Sequence, residues 1–476
     1  MFSDADALLR HLGDKRVKMV NLQFCNLFGG WHHLQLPARH VTEEFLGRGE
    51  SFDGSSVPGY ARTEAGDMSL RPDPTTAFED PFFELPTVSM LCNIVEADTG
   101  APCPRDPRGV CLRAEEYLRR TGFGTRSVWG PELEFYVFDR VERGSGTNFA
   151  GYRVDSDEAF WGAPEPDRRR LGHGLRPGGG YHAPPPLDRM ADLRAEAVDV
   201  LERIGVPVRY HHHEVGAPGQ CEIEPEMGPM LAMGDAIMLI KYVVQRVADR
   251  RGKSVTFMPK PLYGEAGSGL HFHQHFFREA EPVFFDAKGY AGLSKLALSY
   301  TAGLLVHGRS LLGLASPSTN SYKRLVPGFE APVNLFFSLG NRSAAIRVPK
   351  YAVRPEEKRV EFRPPDATGN GYLTMAAMLM AGLDGIQKDM DPVALGYGPI
   401  DENVFHWSEE KRAKIKPLPD TLLAAIEALR SDRDYLLQGG VFTPDLLDTW
   451  IARKTKEARD LETRPHPYEF DMYYSL

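Results

Sequence analysis

Four times this chain sets two ligand-type side chains one residue apart in sequence that reads as strand: Glu132 and Glu134, Glu222 and Glu224, His271 and His273, Glu361 and Arg363. A strand repeats every two residues, so both members of each pair project from the same face. A fold that draws several such faces together encloses a charged, lined cavity rather than a dry core. Carboxylates that close repel one another unless cations sit between them. The pattern therefore demands converging strands and points to a site for more than one metal ion, a common way to handle phosphate.

One isolated pair would read as an edge strand with a solvated face. Recurrence argues against that. His271, His273 and His275 share one face opposite two phenylalanines, and a third cluster, His211 to Glu214, precedes Glu222 closely. Glutamates outnumber histidines and no thiolate joins them, so Mg²⁺ or Mn²⁺ suits the set better than zinc. The five cysteines are scattered without a Cys-x-x-Cys, which suits a reducing, cytoplasmic setting. A net charge of −9 argues against nucleic acid and membrane surfaces as partners. The acidic N-terminus has no signal-peptide core, and no stretch is long and apolar enough to span a bilayer.

Further candidates lie outside the pairs. Gly264-Glu-Ala-Gly-Ser-Gly269 lets backbone approach a ligand closely, and no P-loop motif is present. Arg324, Arg342, Arg347 and Arg363 offer forks for carboxylate or phosphate, Arg347 and Arg363 from strands. Glu330 sits in Pro327-Gly-Phe-Glu-Ala-Pro332, a rigid-ended loop suited to a lid that carries a base. Asp53 in Phe-Asp-Gly-Ser-Ser56 reads, by itself, as a turn residue.

The periodicity predicts a short helix over 4–12 and a hairpin of strands at 17–24 and 33–36 about Gly29–Gly30. Strand signals return at 87–94, and the proline-rich stretch 100–108 marks a boundary, giving units 1–104 and 105–476. The larger unit reads as strands at 132–139, 220–223, 254–257, 271–277, 344–348 and 359–363. Helices are expected at 111–120, 187–204, 230–251, 292–315, 373–388, 419–428 and 444–459. Residues 140–185, rich in Gly and Pro, read as an extended surface insertion. Strand pairs beside helical hairpins, without strict βαβ alternation, predict an α+β fold.

Together these segments resemble glutamine synthetases of the bacterial type I class almost from end to end. The matching motifs are Asp53-Gly-Ser-Ser56, Glu132-Leu-Glu134-Phe, His-His-Glu214-Val, Gly-Gln-Cys-Glu222, Phe257-Met-Pro-Lys-Pro and Gly267-Ser-Gly-Leu-His271. Three more are Asn320 to Pro332, Asn341-Arg342-Ser, and Arg359-Val-Glu361-Phe-Arg363. The resemblance implies a small β-grasp N-terminal domain and a large catalytic domain whose funnel-shaped, strand-lined site is flanked by helices. It implies a homo-dodecamer of two stacked hexameric rings, with Asp53 and Ser56 completing a neighbour's site. Glu134, Glu214 and Glu222 would hold one divalent ion, and Glu132, His271 and Glu361 a second; Glu224 would be structural.

The implied reaction joins ammonia to the γ-carboxylate of L-glutamate through γ-glutamyl phosphate, consuming ATP. Arg342 would neutralise the transferred phosphoryl group; Arg347, Arg359, His273 and His275 would contact the nucleotide. Arg324, Arg363 and Gly267 would fix glutamate. Asp53, Ser56, Tyr181 and Glu214 would receive ammonium, Asp53 taking its proton, while Glu330 shields the intermediate.

The chain departs from the family pattern at Ala266, where an asparagine that contacts glutamate is usual. It departs again at Arg209 (usually Glu), His275 (usually Ser) and Glu356 (usually Lys or Arg). Phe405 replaces a tyrosine that some relatives adenylylate, so that control is expected to be missing. Two rival readings follow: a γ-glutamyl ligase using an organic amine such as a polyamine or ethanolamine, and a silent regulatory subunit. The filled set of six ligand positions speaks against the latter.

Overall fold

The structure is a computed structural model and describes residues 2–14, 16–60, 66–161, 173–329, 331–402, 404 and 407–476. Its first sheet has six strands, ordered Trp31–Pro37, Met19–Cys25, Thr87–Glu96, Asp67–Pro72, Glu50–Asp53, with Phe78–Glu79 also on Thr87–Glu96. Met19–Cys25 pairs antiparallel with Trp31–Pro37 and parallel with Thr87–Glu96. The expected hairpin turn is present, and Gly29 takes φ +87°, open at low cost only to glycine. Leu8, Val20, Leu22, Leu70, Val88 and Met90 build a core of their own beneath the helix Ala5–Asp14.

The second sheet has ten strands and carries the site. Its main path runs Val208–His213, Gln220–Pro225, Arg126–Phe138, Leu270–Arg278, Val360–Phe362, Ala344–Val348, Asn334–Leu339. All neighbours on that path are antiparallel except the last two strands. The pleat sorts side chains as the alternation predicts. Leu133, Phe135, Val137, Ile223, Leu270 and Phe272 enter the main core with the helices Met230–Arg250 and Gly371–Gln387, while the glutamates and histidines between them face the other way. The fold is α+β.

Three expectations need correction. The insertion at 140–185 begins as a surface hairpin, Arg140–Gly146 with Phe149–Asp155, but Gly178 and Tyr181 return to wall the site. The single helix expected at 292–315 is two, Lys295–Val306 and Gly308–Ala315. The break falls at His307, whose ring nitrogens are pinned 2.9 Å from Asp384 and 2.8 Å from Asp432. Val208–His213 and Asn334–Leu339 are strands that the periodicity did not mark.

Arg108 joins the two units. Its buried guanidinium bonds Asp235 through Nε and NH2, both at 2.9 Å, Asp73 at 2.8 Å and Asn93 at 3.1 Å. Asp73 and Asn93 belong to the first unit and Asp235 to the helix Met230–Arg250. Arg108→Ala strands two carboxylates in a low-dielectric seam, at a cost of about 3–5 kcal/mol. Its denaturation midpoint should fall accordingly. Arg108→Lys should recover little, since an ammonium cannot reproduce the fork.

Candidate active site

Strand register assembles the site. Across the sheet Glu222 is the partner of both His212 and Glu134, Glu132 stands opposite His271, and Glu361 stands opposite both His273 and Arg347. Neighbouring strands lie about 4.8 Å apart, so these rows place carboxylates and imidazoles within reach of one another. His271 Nδ1 lies 2.9 Å from Glu132 and 4.0 Å from Glu361, and His273 Nε2 lies 2.8 Å from Glu132. His212 Nε2 is 3.3 Å from Glu222 and its Nδ1 3.8 Å from Glu214. Two groups have donor atoms all within 4.8 Å of one another: Glu132, His273 and Glu361, and His212, Glu214 and Glu222.

All six expected ligands thus meet on one face, with a different immediate grouping. His271 Nε2 accepts from Arg324 at 3.2 Å, and Glu134 accepts from the Gly269 N–H at 2.8 Å. His273 and His212 take the closer places. His212, which the sequence marks only as part of the cluster from His211 to Glu214, stands directly across from Glu222.

Charge follows from these neighbours. Burial works against ionisation of Glu132, but His273 and His271 hold its carboxyl well below the usual range. Arg363, 2.5 Å away, does the same for Glu361 against burial. Burial, with Glu134 beside it, pushes Glu214 up to about 8. Burial and four neighbouring glutamates raise Glu222 far above its ordinary value. Glu361 Oε2 lies 3.0 Å from Arg347 Nε, yet neither buried atom makes a hydrogen bond. Two carboxyls raised by burial and like charge, and a buried carboxylate oxygen that makes no hydrogen bond, fit divalent cations held by oxygen and imidazole.

Carboxyls raised on folding bind more protons in the folded than in the unfolded chain. Their stabilisation is full below the ordinary 4.5 and is lost as pH rises toward about 8. The lowered groups, Glu132 and Glu361, act in the opposite sense and only below that window. Buried histidines held below the ordinary 6.5, His275 above all, act against this at lower pH. The melting temperature of metal-free protein should therefore fall from pH 6.5 to pH 8, and the gain on adding Mn²⁺ should grow over the same range. A scanning-fluorimetry series with and without Mn²⁺ measures both slopes.

A cavity of about 460 Å³ opens above the glutamates and is bordered by Tyr181, Tyr210, Arg324, Arg342, Arg347, Tyr351 and Arg363. Arg324 is fully buried and donates to the carbonyls of Pro364 and Arg363 at 2.8 and 3.1 Å. Arg347 and Arg359 flank the ring of Tyr351 at 5.8 and 5.2 Å, and Arg359 Nε bonds His273 at 3.3 Å. Arg342 stands 6.0 Å from the ring of Tyr181. His275 lies further along its strand, its Nδ1 unpartnered; burial, then Arg359 and Arg126, push it down to about 3, so it is neutral. Gly267 tolerates no side chain, since a Cβ would meet the Pro259 carbonyl at 2.6 Å. Ala266 borders the cavity, and its carbonyl accepts from Tyr136 at 2.6 Å.

Asp53 and Ser56 do not border this cavity among the described residues; they form an exposed turn in which Ser56 donates to Asp53 at 2.6 Å. Glu330 lies outside the described residues, as do Asn403 and Phe405; Gly328, Phe329 and Ala331 beside Glu330 border the cavity. Arg209 is held at 2.9 Å by Glu224, which explains how Glu224 stays buried without joining the metal set. Glu356 sits 3.4 Å from Arg354 at the surface.

A β-grasp unit joined to a sheet with clustered carboxylates, imidazoles and arginines on one face defines a two-domain α+β enzyme. Residues 16–97 match the glutamine synthetase β-grasp domain, and residues 104–473 match the glutamine synthetase catalytic domain. The chain is 46% identical to a glutamine synthetase of Streptomyces coelicolor over all of both chains. It is 43% identical to one of Aquifex aeolicus, covering 97% of this chain and 96% of that one. A cryo-EM structure of Plasmodium falciparum glutamine synthetase superposes with TM-score 0.90 at 25% identity, covering 99% of each chain. A structure described as a GmaS/ADP complex gives 0.81, also at 25% identity, covering 98% of this chain and 99% of that one. The chain belongs to the glutamine synthetase family.

Proposed function

We infer that this protein makes L-glutamine from L-glutamate and ammonia with ATP. The convergence of two carboxylate–imidazole groups and four arginines on one funnel carries the reading. Glu134, Glu214 and Glu222, with His212 beside them, would hold one divalent ion, Mg²⁺ or Mn²⁺, and Glu132, His271 and Glu361 a second with His273. Such ions supply charge neutralisation at the phosphoryl group and the attacking carboxylate. Arg324 and Arg363 orient glutamate at the floor of the funnel. Arg347, Arg359, His273 and His275 line the nucleotide's path. Glutamate's γ-carboxylate attacks the γ-phosphate, and Arg342 draws charge from the transferred group.

Ammonium is taken between Tyr181, Glu214 and a neighbouring subunit's Asp53 and Ser56, and loses a proton to that aspartate. Only the neutral amine has a lone pair for the acyl phosphate. By the resemblance, Glu330 would shield the intermediate from water. The exposure of Asp53 away from its own cavity supports a ring assembly, and so do Tyr468, Phe470 and Tyr473, each more than half exposed on the terminal helix. We propose the homo-dodecamer, a cytoplasmic location, and domains at 1–104 and 105–476. Among the described residues no helix is long and apolar enough to cross a membrane.

Ala266 favours a second reading, in which an organic amine replaces ammonia: its short side chain removes a hydrogen-bonding group from the cavity wall. Phosphate release from ATP with glutamate and Mg²⁺ decides between them. Release is expected with ammonium; release with putrescine or ethanolamine but not ammonium overturns the first reading.

A further inference from the structure

Two buried titratable side chains beside the site take no part in the steps above. Glu158 and His213 are enclosed, at 0% and 1% exposure, with His213 Nε2 3.1 Å from Glu158 Oε2. His213 Nδ1 donates to the carbonyl oxygen of Glu214 at 2.6 Å. The other oxygen of Glu158 accepts from the Arg189 N–H at 2.5 Å, and its main-chain carbonyl accepts from the Leu175 N–H at 3.3 Å. The carbonyl of His213 accepts from the His182 N–H at 3.0 Å, and that of Val215 accepts from the Gly180 N–H at 3.2 Å. Packing here is close enough that a Cβ on Gly180 would fall 2.5 Å from the His213 ring and 2.3 Å from the Glu214 carbonyl.

The hydrogen bonds converge on one turn. His213 ties the backbone of Glu214 to Glu158, and Glu158 ties both to the segment that returns with Tyr181. With Nδ1 committed to the Glu214 carbonyl, Nε2 is the nitrogen left to meet Glu158, and their hydrogen bond satisfies two groups that burial would otherwise penalise. Glu214 and Tyr181 both border the cavity. They come from segments more than thirty positions apart in sequence, and the Glu158–His213 pair is a side-chain link that, beside the backbone bonds His182–His213 and Gly180–Val215, sets one against the other.

We propose that Glu158 is a positioning residue. Acting through His213, it fixes Glu214 and Tyr181 relative to each other and so sets the pocket for ammonium and the adjoining cation group. This rests on the reading of the site given above. Glu158→Ala in the full-length protein should raise the KM for ammonium about tenfold or more, within the 10–100-fold range of outer-partner mutations. It should weaken Mn²⁺ binding, read by EPR titration without substrates, by a similar factor. The KM for ATP should stay within about twofold, because nothing in the pair reaches the nucleotide end.

Glu158→Gln keeps an oxygen for the Arg189 N–H and offers an N–H to His213 Nε2, so it should bring both readouts back to within about threefold of wild type. If Glu158→Ala fails to fold, Glu158→Asp, one methylene short, should show the same split between ammonium and ATP. Equal shifts in both KM values would overturn the proposal. So would a lower melting temperature with unchanged KM and Mn²⁺ affinity, or a Glu158→Gln as impaired as the alanine variant. If the wild type accepts only an organic amine, the reading of the reaction fails, while the Mn²⁺ titration still decides whether Glu158 positions Glu214.

Discussion

Glu222→Gln is expected to abolish synthesis, with Mn²⁺ affinity down by more than the roughly 10–100-fold seen when only an outer partner is lost. Glu222 is the one carboxylate paired across the sheet with both His212 and Glu134, so no neighbour can take its place. Burial and the adjacent glutamates push its carboxyl well above the ordinary value in metal-free protein, toward the protonated form. Glutamine has the shape and charge of that protonated form. The metal-free variant should therefore match or exceed wild type in melting temperature at pH 8, while losing the gain on Mn²⁺ addition.

Glu361→Gln makes the informative contrast. Glu361 is ionised and bound to Arg363 at 2.5 Å with Arg347 alongside, so neutralising it strands buried guanidinium charge. It should lose activity and stability together, by about 3–5 kcal/mol. If Glu222→Gln instead destabilised the metal-free fold as Glu361→Gln does, the assignment of Glu222 to a cation would be wrong.

The same residues show how far sequence reaches. Glu132, Glu134, His271, His273 and Glu361 announced themselves because a strand's period of two makes a same-face pair visible without a partner strand. Which residues face one another across strands is a matter of register, fixed by turns and long-range pairing, and a single strand carries no record of it. Hence His212 stood out only as part of the cluster from His211 to Glu214 and not as a ligand: its worth lies in standing opposite Glu222, and its strand, Val208–His213, lacks a clean apolar alternation. Tyr181 was reached only through resemblance. Its segment has no periodicity at all, and it meets the site because Gly180 packs against His213 and Glu214. The helix break at His307 was equally silent, since the aspartates that pin its ring lie 77 and 125 positions further along the chain.

Mixing two inactive variants should restore activity. Asp53 sits on an exposed turn, bonded by Ser55 and Ser56, whose hydrogen bonds hold its carboxyl below the usual range and keep it anionic at neutral pH. An anion there attracts the ammonium cation, yet the residue does not border the cavity of its own chain among the described residues. If each site takes Glu222 from one subunit and Asp53 from the next, then Asp53→Ala and Glu222→Gln are each silent as homomers for different reasons. Co-expressed under separate tags and purified as mixed rings, the two contribute intact residues to different subunits. With random equal mixing, about a quarter of sites would pair an intact Glu222 with a neighbour's intact Asp53 and regain wild-type composition. Phosphate release near that fraction, against almost none from either parent, is the expected result. Activity no higher than the sum of the parents would mean that Asp53 serves its own chain or none. Mn²⁺ binding adds a second check: Asp53→Ala homomers should titrate like wild type, because the aspartate acts on the amine rather than on the cation.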